Sequence, residues 1–518
     1  MKSEHLNKSW DLIVIGGGIT GAGILREAVR NGFRTLLVEQ KDFAWGTSSR
    51  SSKLVHGGLR YLKEGRLMLT RESVKERERL LKEAPGLVEP LDFMLPIFED
   101  RGPGKWTMEA GLSVYDVIAR KWRHKFHNKE SVEALEPMID PNGLVGGFTF
   151  MDAQVDDARL VMRLILEAVE AGGTAMNYTR AVKLNRDTAG NVTGVVLEDD
   201  DSAEQIEVLT GAVINATGVW AEGLHPSPEK GKHIRPLRGS HLIFPAEMVP
   251  VQNPVSFFNP SDKRPLFAIP WEGAVLVGTT DIDHGEDLSL EPRISKEEAD
   301  YILTAMKSAF PLIDVELSDC ISTIAGVRPV LSEGKLDASK ESREHAVWID
   351  KGLVTVTGGK LTTFRALAWD TLKAAKSFLR EARLSGREEP VFSSVDTSMV
   401  NTEALSAGQI KRLFGRYGND AALIINSASD ADLDEIPGTF TLWAELTHVA
   451  SKERVRHLED LLLRRVRIGL LLKNGGMDHF ARIRSLCQAA LSWDDQKWEA
   501  EVDAYNAFWK ENYDIPQR

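Results

Sequence analysis

Residues 11–40 read DLIVIGGGITGAGILREAVRNGFRTLLVEQ, and residues 47–62 read TSSRSSKLVHGGLRYL. The apolar run 12–15 predicts a buried parallel strand. Gly16, Gly18 and Gly21 then fill a G-x-G-x-x-G turn, with Gly17 and Thr20 inside it, and an amphipathic helix follows over about 20–31. The first N–H groups of such a helix have no partner within it and its dipole favours negative charge, so a dinucleotide pyrophosphate suits that end. A second strand over 35–38 ends at Glu39. An acid about 20 residues past the glycines accepts from adenosine ribose hydroxyls, and its charge opposes a 2′-phosphate. Glycine turns also occur for packing alone. Here strand, turn, helix, second strand and acid stand together, which makes the stretch a dinucleotide site.

The chain has 518 residues, enough for two or three units with a sizeable core. Its 64 Lys and Arg against 76 Asp and Glu leave a net charge of −12, which opposes a general nucleic-acid surface and requires any anion site to be a local basic pocket. Cys320 and Cys487 match no metal or redox spacing and read as two reduced structural thiols. The start MKSEHLNKSW lacks the apolar core of a signal peptide, and no apolar run reaches the length of a membrane span. The expectation is a cytoplasmic protein, soluble or peripheral on a membrane.

Beyond the first unit, a charged helix is expected over about 68–83. A basic, aromatic stretch follows over 101–126, then a helix from Asp156 or Asp157 to about 172. Strand-like runs at 192–198 and 206–214 lead into Ile214-Asn215-Ala216-Thr217-Gly218. From about 235 to 350 the pattern turns strand-rich, with runs at 241–244, 266–270, 274–278 and 346–349. One helix interrupts it, behind the Ser295-x-x-Glu298 capping box. A buried strand over 353–357 precedes Gly358-Gly359-Lys360-Leu361-Thr362-Thr363 and a helix to about 382. Residues 385–400 read as a linker, and 403–518 as mostly helical.

A Gly-Gly turn that opens a helix, as at 358–363, presents free N–H donors where negative charge gathers on a reduced flavin ring; it also serves as an ordinary strand-to-helix turn. Thr47, Ser48, Ser49, Ser51 and Ser52 offer hydroxyls to a pyrophosphate or ribityl chain, or cap the next helix. In His56-Gly57-Gly58-Leu59-Arg60-Tyr61 the glycines leave room for a flat ring beside anion donors. Arg328, in Gly326-Val327-Arg328-Pro329, together with Arg343 and Lys360, could converge on the same anion. His241, in Arg238-Gly239-Ser240-His241, is either a satisfied core histidine or the general base for an alcohol.

DLIVIGGGITGAG, TSSRSSKLVHGGLRYL, VDDARLV, INATG, RGSH, IPW, GTTD, AGVRPV, GGKLTT and LEDLLLRRVRIGLLL together resemble the FAD-dependent glycerol-3-phosphate dehydrogenases over nearly the whole chain. That resemblance implies an α/β fold of the glycine/D-amino-acid oxidase type within residues 1–385. Its FAD/NAD(P)-binding Rossmann-like parts would lie at about 9–90, 150–234 and 350–385, and an interleaved mixed-sheet substrate part at 91–149 and 235–349. A helical domain would occupy 403–518. The resemblance further implies noncovalent FAD, oxidation of glycerol 3-phosphate to dihydroxyacetone phosphate, and electrons passed to membrane quinone on the inner face of the cytoplasmic membrane, with a homodimer allowed and no nucleic-acid partner. By position Arg60, Tyr61, Arg328, Arg343 and Lys360 would hold phosphate or lie near the flavin, and His241 would face substrate, with His241, Arg328 and Arg60 catalytic. Segment 101–126 has the composition of a membrane interface or of a solvated loop. The competing expectations are an oxidase that reduces oxygen to hydrogen peroxide, an amino-acid oxidase, and a flavin-bound structural protein without turnover. DDQKWEAEVDAY holds no EF-hand loop, so calcium regulation is not implied.

Overall fold

In the computed structural model the described residues are 8–63, 65–225, 233–332, 345–379, 384–400 and 403–516; the side chains of Arg60, Lys63 and Met399 are not described. The strand Leu12–Ile15 is wholly buried because all four of its side chains are apolar and both faces of its sheet are covered. It pairs in parallel with Thr35–Val38 on one side and Val213–Asn215 on the other. The sheet runs, in spatial order, His345–Asp350, Leu353–Gly358, Val213–Asn215, Leu12–Ile15, Thr35–Val38, Thr174–Met176. The helices Ile19–Arg30, Asp157–Glu170 and Phe364–Ala375 cover one face through one continuous apolar core. Asp156 caps the middle helix by accepting from the Arg159 N–H.

Among the described residues a second sheet of nine strands forms the neighbouring layer. Its spine is the long strand Ile234–Pro245, flanked by Ala274–Gly278 and by Ser322–Leu331. The helix Lys296–Ala309 packs on it, and the expected capping box at Ser295 and Glu298 is present. Five α-helices of eight residues or more lie between Ala407 and Asn512 and share a core with Ile243, Trp271, Leu276 and Ile324 of the second sheet.

The structure corrects three boundaries. The run 206–214 is two strands in two sheets, since Gln205–Leu209 belongs to a three-stranded sheet and only Val213–Asn215 joins the nucleotide sheet. His345–Asp350 lies in the nucleotide sheet rather than the substrate part, because its alternating pattern pairs back on Leu353–Gly358 through a tight turn. The helix expected to reach 382 ends at Ala375 and tightens into a short 3₁₀ turn. The 385–400 stretch is more than a connection: Val391 and Phe392 are buried in the nucleotide core.

Candidate active site

Gly16 takes a φ of +113°, and a Cβ on it would lie 2.6 Å from the Ala216 carbonyl oxygen. A Cβ on Gly21 would lie 1.9 Å from the Gly16 carbonyl oxygen. Any larger residue would therefore push the first turn away from the helix that follows it. The helix start carries no acidic residue, and its Ile19 N–H donates to Ser48 Oγ at 2.9 Å. Glu39 accepts from the Gly17 N–H at 2.7 Å and the Lys41 N–H at 3.0 Å, one bond per oxygen, and burial raises its carboxyl above the usual range. Gly218 and the pair Gly358–Gly359 all have positive φ, and Thr357 donates to the Gly218 carbonyl at 3.0 Å. The Thr217 hydroxyl turns inward to Asn215, and Leu361–Thr363 form a turn headed by Lys360. Thr362 donates to the His56 carbonyl at 3.2 Å, so the Gly-Gly turn and the HGG turn meet. This chain of small-residue turns, with a glycine cradle that a Cβ would fill, fits FAD.

Three hydroxyls expected at the cofactor have protein partners instead. Thr47 donates to the Val327 carbonyl. Ser51 donates through both its N–H and its hydroxyl to Asp157 Oδ2, at 2.9 and 2.7 Å. Ser52 Oγ lies 2.9 Å from His241 Nε2. The cause is that residues 47–53 turn over the start of the Asp157–Glu170 helix, which aims the later hydroxyls away from the nucleotide turn. Ser49 is buried, and its carbonyl accepts from Lys53 Nζ at 2.7 Å.

His241 lies in register with Gly278 and Ile324, and a Cβ on Gly278 would come 2.5 Å from its Cδ2, so the ring rests in the space that glycine leaves. Burial, and then the Arg328 and Lys53 cations, hold its pKa well below the ordinary histidine value. Arg328 donates to Asp281 Oδ1 and to Thr279 Oγ1, each at 3.1 Å, and its guanidinium lies where a Cβ on Gly239 would clash. Lys360 Nζ donates to Ser73 Oγ at 2.5 Å and sits 4.2 Å from the centroid of the buried Tyr61 ring. The Tyr61 ring is 6.2 Å from that of His56. A Cβ on Gly57 would lie 2.0 Å from the hydroxyl of Tyr115, on the helix Lys105–Ala119, which fixes the HGG turn against that helix. The Arg60 side chain and the whole of Arg343 fall outside the described residues.

The sequence reading missed Ser73, Lys53, Asp157 and Arg467, all of which hold members of this group. For Asp157 a signal existed, as its carboxylate follows the cap residue of a helix. The others contribute through long-range contacts with no local pattern.

A family profile described as FAD dependent oxidoreductase matches residues 11–369. A second, described as the C-terminal domain of alpha-glycerophosphate oxidase, matches 379–498. The chain is 34% identical over 490 residues to the aerobic glycerol-3-phosphate dehydrogenase of Staphylococcus haemolyticus, covering 90% of this chain and 88% of that one. It is 32% identical over 494 residues to the protein of the same name from Staphylococcus aureus, with the same coverage. Among solved structures, the glycerol-3-phosphate dehydrogenase of Bacillus halodurans complexed with FAD superimposes with a TM-score of 0.77 at 27% identity, covering 98% of this chain and 96% of that chain. Glycine oxidase from Geobacillus kaustophilus shares the fold, with a TM-score of 0.52 at 19% identity over 73% of this chain and 98% of that chain.

Proposed function

The chain belongs to the FAD-dependent glycerol-3-phosphate dehydrogenase family, and from that premise we propose that it oxidises sn-glycerol 3-phosphate at C2 to dihydroxyacetone phosphate and delivers the electrons to a membrane quinone. The observation that carries this reading is the path of residues 47–61. One end meets the nucleotide turn through Ser48, the middle meets His241 through Ser52, and the far end brings Tyr61 under Lys360. On this reading the strip joins the cofactor turn to the base His241 and to Lys360, a cation for the phosphate dianion.

FAD would be held by the turns at 16–21, 216–218 and 358–362, with Glu39 on its adenosine ribose, and when bound would supply the acceptor for the hydride from C2. The protein's own part is to bind, orient and deprotonate. Lys360 and Arg328, with Tyr61, Arg60 and Arg343, hold the phosphate. A low histidine pKa leaves His241 uncharged at neutral pH, ready to take the hydroxyl proton as the hydride departs. The product carbonyl then needs no further proton transfer.

An anaerobic titration with glycerol 3-phosphate, followed by a quinone analogue or air, tests the reading. Bleaching of the flavin with fast recovery on quinone and slow recovery in air is the expected result. Fast recovery in air with peroxide would make the protein an oxidase, and no bleaching of bound flavin would overturn the substrate.

Membrane delivery has a surface to match. Among the described residues no helix is long and apolar enough to cross a membrane. The helix Lys105–Ala119 leaves Trp106 80% exposed, and Trp122 just beyond it is 67% exposed. Val117 is exposed on the same helix, in a stretch that also holds Lys105, Arg120, Lys121, Arg123 and Lys125. Indoles among cations suit an anionic lipid surface. Changing Trp106 and Trp122 together to serine is expected to weaken co-sedimentation with phosphatidylglycerol vesicles by about tenfold, through the apolar area withdrawn from the bilayer. Unchanged binding would place the membrane contact elsewhere.

A further inference from the structure

The helical domain reaches the active-site strip through one buried cation. Arg467, which opens the short helix Ile468–Leu471, takes the left-handed conformation (φ 64°, ψ 0°) that a non-glycine residue keeps only where its surroundings hold it. Its Nη2 donates to the Ser49 carbonyl at 2.8 Å and to Asp157 Oδ1 at 3.0 Å, across a sequence separation of 310 residues for the second bond. Lys53 makes the same two connections from within the strip, with Nζ 2.7 Å from the Ser49 carbonyl and 2.9 Å from each Asp157 oxygen. Asp157 also accepts from the N–H and hydroxyl of Ser51. All three charged groups are buried, and Arg467 and Lys53 both lie over the Trp271 ring, at 5.6 and 5.3 Å from its centroid. The next residue after Ser51 is Ser52, whose hydroxyl meets His241 Nε2, while His241 Nδ1 is buried with no hydrogen-bond partner among the described residues.

We propose that Arg467 is a positioning residue for the redox site: with Asp157 and Lys53 it clamps residues 49–53, and through Ser52 it fixes the orientation of the His241 ring. A hydrogen bond to one ring nitrogen decides which way the other faces. With Nε2 held by Ser52, Nδ1 is the nitrogen left for a substrate hydroxyl. The clamp is ionic and fully buried, so it is rigid, and its outer jaw belongs to the helical domain. That domain thereby completes the site without touching substrate. The proposal rests on the reading of His241 given above.

The test uses the full-length holoprotein. In Arg467→Lys the charge is kept, but the planar group whose Nη2 reaches Ser49 and Asp157 while its Nη1 holds the Leu463 carbonyl is lost. Backbone hydrogen exchange across residues 47–53, measured without substrate, is expected to accelerate. The limiting rate of flavin reduction by glycerol 3-phosphate is expected to fall about 10–100-fold, as a displaced reacting group requires, with the half-saturating substrate concentration within twofold of wild type. Ser52→Ala should produce a similar fall, and the double variant should be little slower than either single one, because both act on the same contact. Unchanged exchange in Arg467→Lys, or strictly additive rate effects, would overturn the proposal. Failure of the wild-type flavin to be reduced would overturn the function instead, and the exchange measurement would still judge the clamp. Should Arg467→Lys not fold, Asp157→Asn, which keeps the shape of the junction but removes its negative charge, answers the same two questions.

Discussion

Replacing His241 by alanine is expected to slow flavin reduction by glycerol 3-phosphate by about 10²–10⁴-fold, the usual contribution of a positioned general base. The flavin should remain bound, since His241 holds none of the nucleotide turns. The wild-type pH profile carries the second half of this expectation. Burial, Arg328 and Lys53 all disfavour the charged ring, so His241 keeps its base form as pH falls through 6.5, and the acid limb of the reduction rate lies well below that value. In the alanine variant that limb disappears. Stability follows the same sign: below pH 6.5 an unfolded histidine takes a proton that the folded one refuses, so acid favours the unfolded chain. Stopped-flow reduction between pH 5 and 8 checks all of this at about 25 °C. A variant within threefold of wild type would transfer the base role to water.

Changing Arg328 to methionine removes a cation that the fold holds against Asp281 and Thr279. A charged hydrogen bond to the substrate phosphate is worth about 1.5–3 kcal/mol, so kcat/KM is expected to fall by about 10–150-fold, mostly through KM. The same change removes one of the two charges that depress His241, which moves the acid limb of the reduction rate toward 6.5 while burial keeps it below. An unchanged KM together with an unmoved limb would remove Arg328 from the substrate site. Steady-state kinetics at three pH values suffices, and thermal melts separate lost binding from lost stability.

The sequence announces the nucleotide half of this molecule because each of its parts is local. An apolar run, three glycines, a helical repeat and an acid lie within about 30 residues, and each obeys its own short-range rule. The capping box at Ser295 was legible for the same reason. His241 and Arg328 could be singled out by their neighbours in the chain, but the fold alone says that their strands lie side by side, with Leu237 opposite Arg328 and Ser240 opposite Ala325. The serine cluster shows where local reading stops. Its five hydroxyls look equivalent in sequence, yet Ser48 serves the nucleotide helix, Ser51 serves Asp157 and Ser52 serves His241. Which hydroxyl faces which partner depends on how a single loop turns. The arginines of LEDLLLRRVRIGLLL were visible as a family-like segment, but nothing near them in the chain names the carboxylates they find.

Those carboxylates include Asp42, three residues beyond Glu39 and wholly buried, whose oxygens receive Arg464 and Arg465. Burial alone would raise its pKa, and the two guanidinium groups reverse that and hold it ionised. Asp42 and Arg465 stand 423 residues apart. At a synthesis rate of about 5–20 residues per second, Asp42 leaves the ribosome roughly 20–85 s before its counter-ions exist. Once Leu353–Gly358 has emerged the dinucleotide sheet has every strand it needs, yet it still carries an uncompensated charge at Asp42, a burden of several kcal/mol. The nascent nucleotide unit is therefore expected to stay open, or protonated at Asp42, until the segment with Arg464 and Arg465 docks. Assembly of the flavin site is in this sense timed by the helical segment that carries Arg464 and Arg465.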